Sequence, residues 1–65
     1  MKLIVNDSEH DLDAATLAAA LQALDYRGAV VATALNGHFV PARQREATPL
    51  TAGDRIEIVA PRQGG

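Results

Sequence analysis

Ser8, His10 and Asp11 carry the three groups of a nucleophilic triad on one short stretch of chain. A triad works only when hydroxyl, imidazole and carboxylate converge in one pocket, with the acid behind the histidine. The stretch reads as an extended strand, in which neighbouring side chains point to alternate faces. These residues therefore belong to a solvated hairpin. His10 and His38 could bind a metal together with a carboxylate, but they fall on different hairpins and no third ligand is spaced to join them. His38 follows directly on Asn36-Gly37 and reads as a turn residue. Asp7, Glu9, Asp11 and Asp13 recur at every second position. Such a row could hold a cation or a basic partner; more simply, it is the solvent side of an edge hairpin, where charge discourages edge-to-edge pairing. The chain has no cysteine, which excludes a thiol nucleophile, a thiolate metal site and a disulfide scaffold.

One chemical handle is left. The sequence closes on Pro61-Arg62-Gln63-Gly64-Gly65, directly after a strand-like run. Glycines at a chain end are ordinarily frayed residues. Here they follow a strand, so they project from a fixed point. Without Cβ atoms they fit a slot too narrow for other residues, and Gly65 offers its carboxylate with the least steric cover.

The chain of 65 residues makes one domain at most. Apolar residues are 48% and charged residues 22%, a globular rather than disordered composition. No apolar run approaches the ~18 residues of a membrane span, and the opening Met1–Asp7 lacks the apolar centre of a signal peptide, so a cytoplasmic location is expected. The net charge of −2 is uneven: five acids accompany Lys2 in residues 1–25, and five arginines accompany Glu46, Asp54 and Glu57 in residues 26–65. Nucleic-acid binding calls for a basic stripe with stacking aromatics. Tyr26 and Phe39 are the only aromatic residues, so no nucleic-acid partner is expected.

The elements that must position the tail follow from patterning. Residues 2–6 read as a strand with Leu3 and Val5 on one face and Lys2 and Ile4 on the other. Residues 6–9 are turn chemistry, and 9–12 return as a polar strand with Leu12 turned inward. Residues 16–28 predict a helix, with Thr16 as N-cap, Gly28 closing it, and Leu17, Ala20, Leu21 and Leu24 as its apolar stripe. Residues 29–41 predict a second hairpin about an Asn36-Gly37 type I′ turn. Its first strand is apolar enough to be central; its second is stopped by Pro41 and belongs on an edge. Residues 42–49 form a polar connection anchored by Leu50. Residues 51–54 turn, and 55–60 alternate, with Ile56 and Ile58 on one face and Arg55, Glu57 and Val59 on the other. The order β, β, α, β, β, β predicts an α+β domain, a mixed five-stranded sheet with one main helix packed on one face. A last strand running centrally and parallel to the first brings Leu3, Val5, Ile56 and Ile58 under the helix stripe, which is the β-grasp arrangement. The domain is expected to occupy residues 1–61, with 62–65 a flexible tail.

The run Ala34-Leu-Asn-Gly-His-Phe-Val-Pro41 and the run Thr48-Pro-Leu-Thr-Ala-Gly-Asp-Arg-Ile-Glu-Ile-Val-Ala-Pro-Arg-Gln-Gly-Gly65 closely resemble the ThiS family, the small sulfur carriers of thiamine thiazole synthesis. The similarity spans nearly the whole chain and is strongest from Val31 to Gly65. The N-terminal half matches mainly in pattern, and Asp13-Ala14-Ala15 stands where the family often has Pro or Gly before the helix. The resemblance implies a ubiquitin-like β-grasp with a working C-terminal glycine, here Gly65. It implies an E1-like adenylating enzyme, ThiF, that receives Arg62, Gln63 and Gly64 in a channel and spends MgATP on the Gly65 carboxylate. It further implies a sulfur donor system, and thiazole synthase, ThiG, as the sulfur acceptor. The carrier itself would be a protein cosubstrate rather than an enzyme and would bind no cofactor of its own. By analogy with ubiquitin-like proteins, docking falls on the sheet face away from the helix. Strand parity places Ile4, Val59 and Phe39 there; the competing reading puts Phe39 in the core. Carriage of sulfur for molybdopterin or another pathway, and ubiquitin-like modification of protein lysines, are the alternatives that share the tail.

Overall fold

The computed structural model describes residues 1–26 and 30–60. Five strands and one α-helix appear in the expected order: β1 (Lys2–Val5), β2 (Ser8–Asp11), α1 (Leu17–Ala23), β3 (Ala32–Leu35), β4 (His38–Val40) and β5 (Arg55–Val59). The strands form one sheet in the order β2-β1-β5-β3-β4. The last strand in sequence is thus central. It runs parallel to β1, with Val5 opposite Ile56, and antiparallel to β3, with Thr33 opposite Ile58.

Period-two patterning accounts for this placement. β1 buries Leu3 and Val5, β5 buries Ile56 and Ile58, and β3 and β4 add Thr33 and Val40 to the same face. α1 covers that face with Leu17, Ala20 and Leu21, and Leu12, Leu24, Tyr26 and Leu50 pack around the cluster. Ala20 at the centre of the helix stripe lets the backbone lie close to the sheet.

Thr16 caps α1 as its residue type predicts, its hydroxyl accepting from the Ala19 N–H at 3.2 Å. The far end departs from the expectation that the helix reaches Gly28. Leu24 is the C-cap, and Asp25 takes the left-handed conformation with φ 66°. The Tyr26 N–H donates to the Leu21 carbonyl at 2.8 Å and the Asp25 N–H to the Gln22 carbonyl at 3.1 Å, the paired bonds of a Schellman closure. At about 100° per residue, a continued helix would carry Tyr26 to the side opposite Leu17. Closing early turns it onto the core instead. Gly28 lies outside the described residues.

The connection after β4 is also more ordered than its polar composition indicates. Residues Ala42–Ala47 form a short 3-10 helix that packs against α1. Beyond it the chain pairs with the start of α1: the Leu17 N–H donates to the Thr48 carbonyl and the Leu50 N–H to the Ala15 carbonyl, at 2.9 and 3.0 Å. Leu50 is the expected anchor, and these backbone bonds reinforce it. β3 is shorter than its apolar run; Val30 is 73% exposed ahead of it.

Candidate functional site

β5 is the strand that leads to the chain's closing residues, so its hold on the sheet comes first. β1 supplies backbone rungs as far as Asn6, whose N–H donates to the Ile56 carbonyl at 2.9 Å. There the chain turns away, with φ 49° at Asn6 and 69° at Asp7, the paired positive values of a type I′ hairpin. The Asn6 side chain continues the ladder in its place. The Ile58 N–H donates to Asn6 Oδ1 at 2.8 Å, and Asn6 Nδ2 donates to the Ile58 carbonyl at 3.1 Å.

The second hairpin repeats the device at the other end of β5. Asn36 and Gly37 have φ of 51° and 85°, the type I′ turn expected from Asn-Gly. Asn36 Oδ1 accepts from the Arg55 N–H at 2.9 Å, while Asn36 Nδ2 donates to Asp54 Oδ1 at 3.1 Å. Asp54 in turn receives the Thr51 N–H at 2.8 Å, which fixes the 51–54 turn.

A third side chain completes β3. In the β3–β4 register Val31 would face position 42, but the chain has already entered the 3-10 helix there. Arg45 takes over: Nη2 donates to the Val31 carbonyl at 2.6 Å and Nε to Thr33 Oγ1 at 3.1 Å. The buried Thr33 hydroxyl donates onward to the Val40 carbonyl at 2.8 Å. No buried side-chain polar atom among the described residues lacks a partner.

The sheet face away from α1 divides in two. On the β2–β1 side it is charged: Lys2 lies 3.6 Å from Glu9, and Arg55 holds Asp7 at 2.7 Å. On the β3–β4 side it is apolar. Phe39 and Val59 are 69% and 63% exposed and flank a shallow depression of about 180 Å³ floored by Ala32 and Ala34, with Glu57 on its wall. Phe39 is therefore a surface residue and not a core one. Ile4 shares this face but sits opposite Arg55, among the charges and away from the depression.

The remaining sequence candidates do not converge. His10 and His38 lie on the two opposite edge strands. Asp11 points with Lys2 rather than behind His10, which pairs with Leu3. Among the described residues no group of three His, Asp or Glu is placed to hold a metal, and no helix is long and apolar enough to cross a membrane. Pro61, Arg62, Gln63, Gly64 and Gly65, and with them the expected boundary between domain and tail, lie outside the described residues.

The model of the ThiS family matches residues 3–65. The chain belongs to the ThiS family. The crystal structure of a thiamine biosynthesis protein (ThiS) from Geobacter metallireducens is similar to it throughout, with a TM-score of 0.83, 30% sequence identity and all of each chain covered. Among curated proteins none matches. The fold is accordingly the β-grasp, and as a ThiS-family member the protein is a sulfur carrier for thiamine biosynthesis, not an enzyme.

Three side chains in this ThiS-family domain carry roles that sequence reasoning missed: Asn6, Arg45 and Thr33. Asn6 reads locally as a turn residue, and its partner Ile58 is 52 positions away. Arg45 reads as one of several solvated arginines. The available signal was that asparagine opens both hairpin turns, although glycine alone would satisfy a positive φ.

Proposed function

We propose that the Gly65 carboxylate is the group that carries sulfur. In this reading an E1-like adenylating enzyme, ThiF, docks on the body and takes Arg62, Gln63, Gly64 and Gly65 into its ATP site. A Gly65 carboxylate oxygen attacks the α-phosphorus of MgATP; the bond to the β-phosphate breaks and pyrophosphate leaves. The terminal sulfur of a donor persulfide then attacks the acyl carbon and AMP departs. A thiol cleaves the resulting S–S bond, which leaves a thiocarboxylate on Gly65. Thiazole synthase, ThiG, receives that sulfur.

A free carboxylate is a poor acyl electrophile, and the mixed anhydride with AMP gives it a good leaving group. The activating enzyme supplies the cations that stabilise the phosphate charge. The carrier needs no acid, base or nucleophile of its own, only a reachable end on a firm base. The observation that carries this reading is the family match running through residue 65. It is supported by the hold on β5, the central strand that leads to that residue.

Docking is assigned to the face away from α1, at the depression between Phe39 and Val59, with Ile4 a separate contact among the charges of the β1 side of that face. Two large exposed apolar side chains around one hollow are an ordinary mark of a protein-binding surface. Removal of Gly64 and Gly65 tests the chemistry. Among the described residues the core runs from Leu3 to Ile58, so the truncated chain should keep its melting temperature and lose all sulfur loading. Loading that persists without those glycines would refute the assignment.

A further inference from the structure

The last two residues of β5 are held alternately. The Val59 position pairs with Ala32 on the β3 side. On the β1 side, Ile58 is held at both its N–H and its carbonyl by Asn6 alone, at 2.8 and 3.1 Å. β1 provides no backbone rung beyond the carbonyl of Ile56. A single exposed amide thus stands where two further rungs of the parallel ladder would be.

We propose that Asn6 is a positioning residue for the reaction at the C-terminus: by clamping Ile58 it sets the direction in which the chain leaves the sheet. This rests on the reading that Gly65 is the reacting end. The activating enzyme must grip the body and seat the carboxylate on a nucleotide at the same time, so both fit only for a narrow range of departure angles. Gly65 lies seven positions beyond Ile58. Drawn straight in the enzyme's channel, that stretch would reach roughly 24 Å, so a tilt of about 10° at the root would move the end by about 4 Å. A misplacement of that size is enough to slow a step that depends on alignment.

Asn36 provides the internal control. It opens a turn of the same type and braces the opposite end of the same strand through the Arg55 N–H. Asn6→Gly and Asn36→Gly both keep a residue that accepts positive φ and both delete an amide. They should therefore destabilise the domain similarly. Pyrophosphate release by the purified E1-like enzyme, with MgATP and each carrier variant as substrate, separates the two roles.

Asn6→Gly is expected to lower kcat about tenfold with little change in the KM for carrier, the pattern of lost alignment. Amide exchange at Ile58 should accelerate in the same variant. Asn36→Gly should leave kcat and KM near wild type, and Asn6→Asp, which retains the acceptor for the Ile58 N–H, should recover part of the loss. Equal effects from both glycine variants, or a change in KM alone for Asn6→Gly, would overturn the positioning role. Wild-type turnover matched by Asn6→Gly removes this inference and leaves the function standing. A wild-type chain that releases no pyrophosphate removes both.

Discussion

The β1–β2 and β3–β4 hairpins reverse by the same means, a two-residue turn with positive φ that opens on asparagine, and in both the asparagine amide reaches across to brace β5. Their outward surfaces are unlike. β2 carries Glu9 and Asp11 between Asp7 and Asp13; Glu9 pairs with Lys2, Asp11 with the Met1 amino group, and Asp7 in the turn with Arg55. β4 carries His38, Phe39 and Val40, with Phe39 exposed over Ala34. Local turn physics is thus shared, while the edges are used differently. An acidic edge resists pairing with other strands. An edge without carboxylates, beside a hollow flanked by Phe39 and Val59, invites a partner.

The largest expected effect follows from that contrast. Phe39→Asp should weaken binding to the activating enzyme by roughly thirtyfold, the scale of an interface hot spot. Glu9→Gln on the other edge should change it less than about twofold. Calorimetric titration of both variants checks the pair. Since each side chain is exposed, neither should lower the melting temperature appreciably. A stronger effect at Glu9 than at Phe39 would move the docking surface to the acidic hairpin.

Interior polarity differs as well. Thr33→Val removes the hydroxyl that links the Val40 carbonyl to Arg45 and should cost about 1–3 kcal/mol in denaturant unfolding, because it deletes a buried bond to the Val40 carbonyl and a part-buried one from Arg45. Ser8→Ala, at an exposed position of β2, should stay within about 0.5 kcal/mol. Equal costs would mean that the Arg45 network contributes nothing beyond an ordinary surface contact.

The turns supply the smallest effects. Gly37→Ala meets no atom within 4 Å, so its cost is that of placing a side chain at φ 85°, about 1 kcal/mol. Asp7→Gly relieves the same kind of strain at φ 69° but loses an exposed ion pair to Arg55 worth little. It should therefore be neutral or stabilising by a few tenths of a kcal/mol, as thermal unfolding would show. A substantial loss at Asp7 would give its ion pair more weight than its exposure warrants.

Much of this architecture is legible in the residues. Alternation in 2–6 and 55–60 identifies the two strands whose apolar faces meet the helix, and Asn36-Gly37 identifies its turn. The end of α1 is not legible in the same way. Aspartate tolerates a left-handed conformation less readily than glycine, and the closure at Asp25 is selected by Tyr26 packing on the core. The roles of Asn6 and Arg45 depend on partners brought near only by the finished fold. The exposure of Phe39 is legible in retrospect. With Leu35 paired to His38 across the turn, Phe39 must share a face with Ala34 and lie opposite to Thr33 and Val40.

The central claim concerns the last residue, and its mass tests it most directly. The chain is incubated with the E1-like enzyme, MgATP and a persulfide donor in the presence of a thiol, then measured intact and after digestion. The account predicts replacement of one oxygen by sulfur, confined to the peptide that ends in Gly65. An unchanged mass after demonstrated pyrophosphate release, or sulfur on any other peptide, would contradict it.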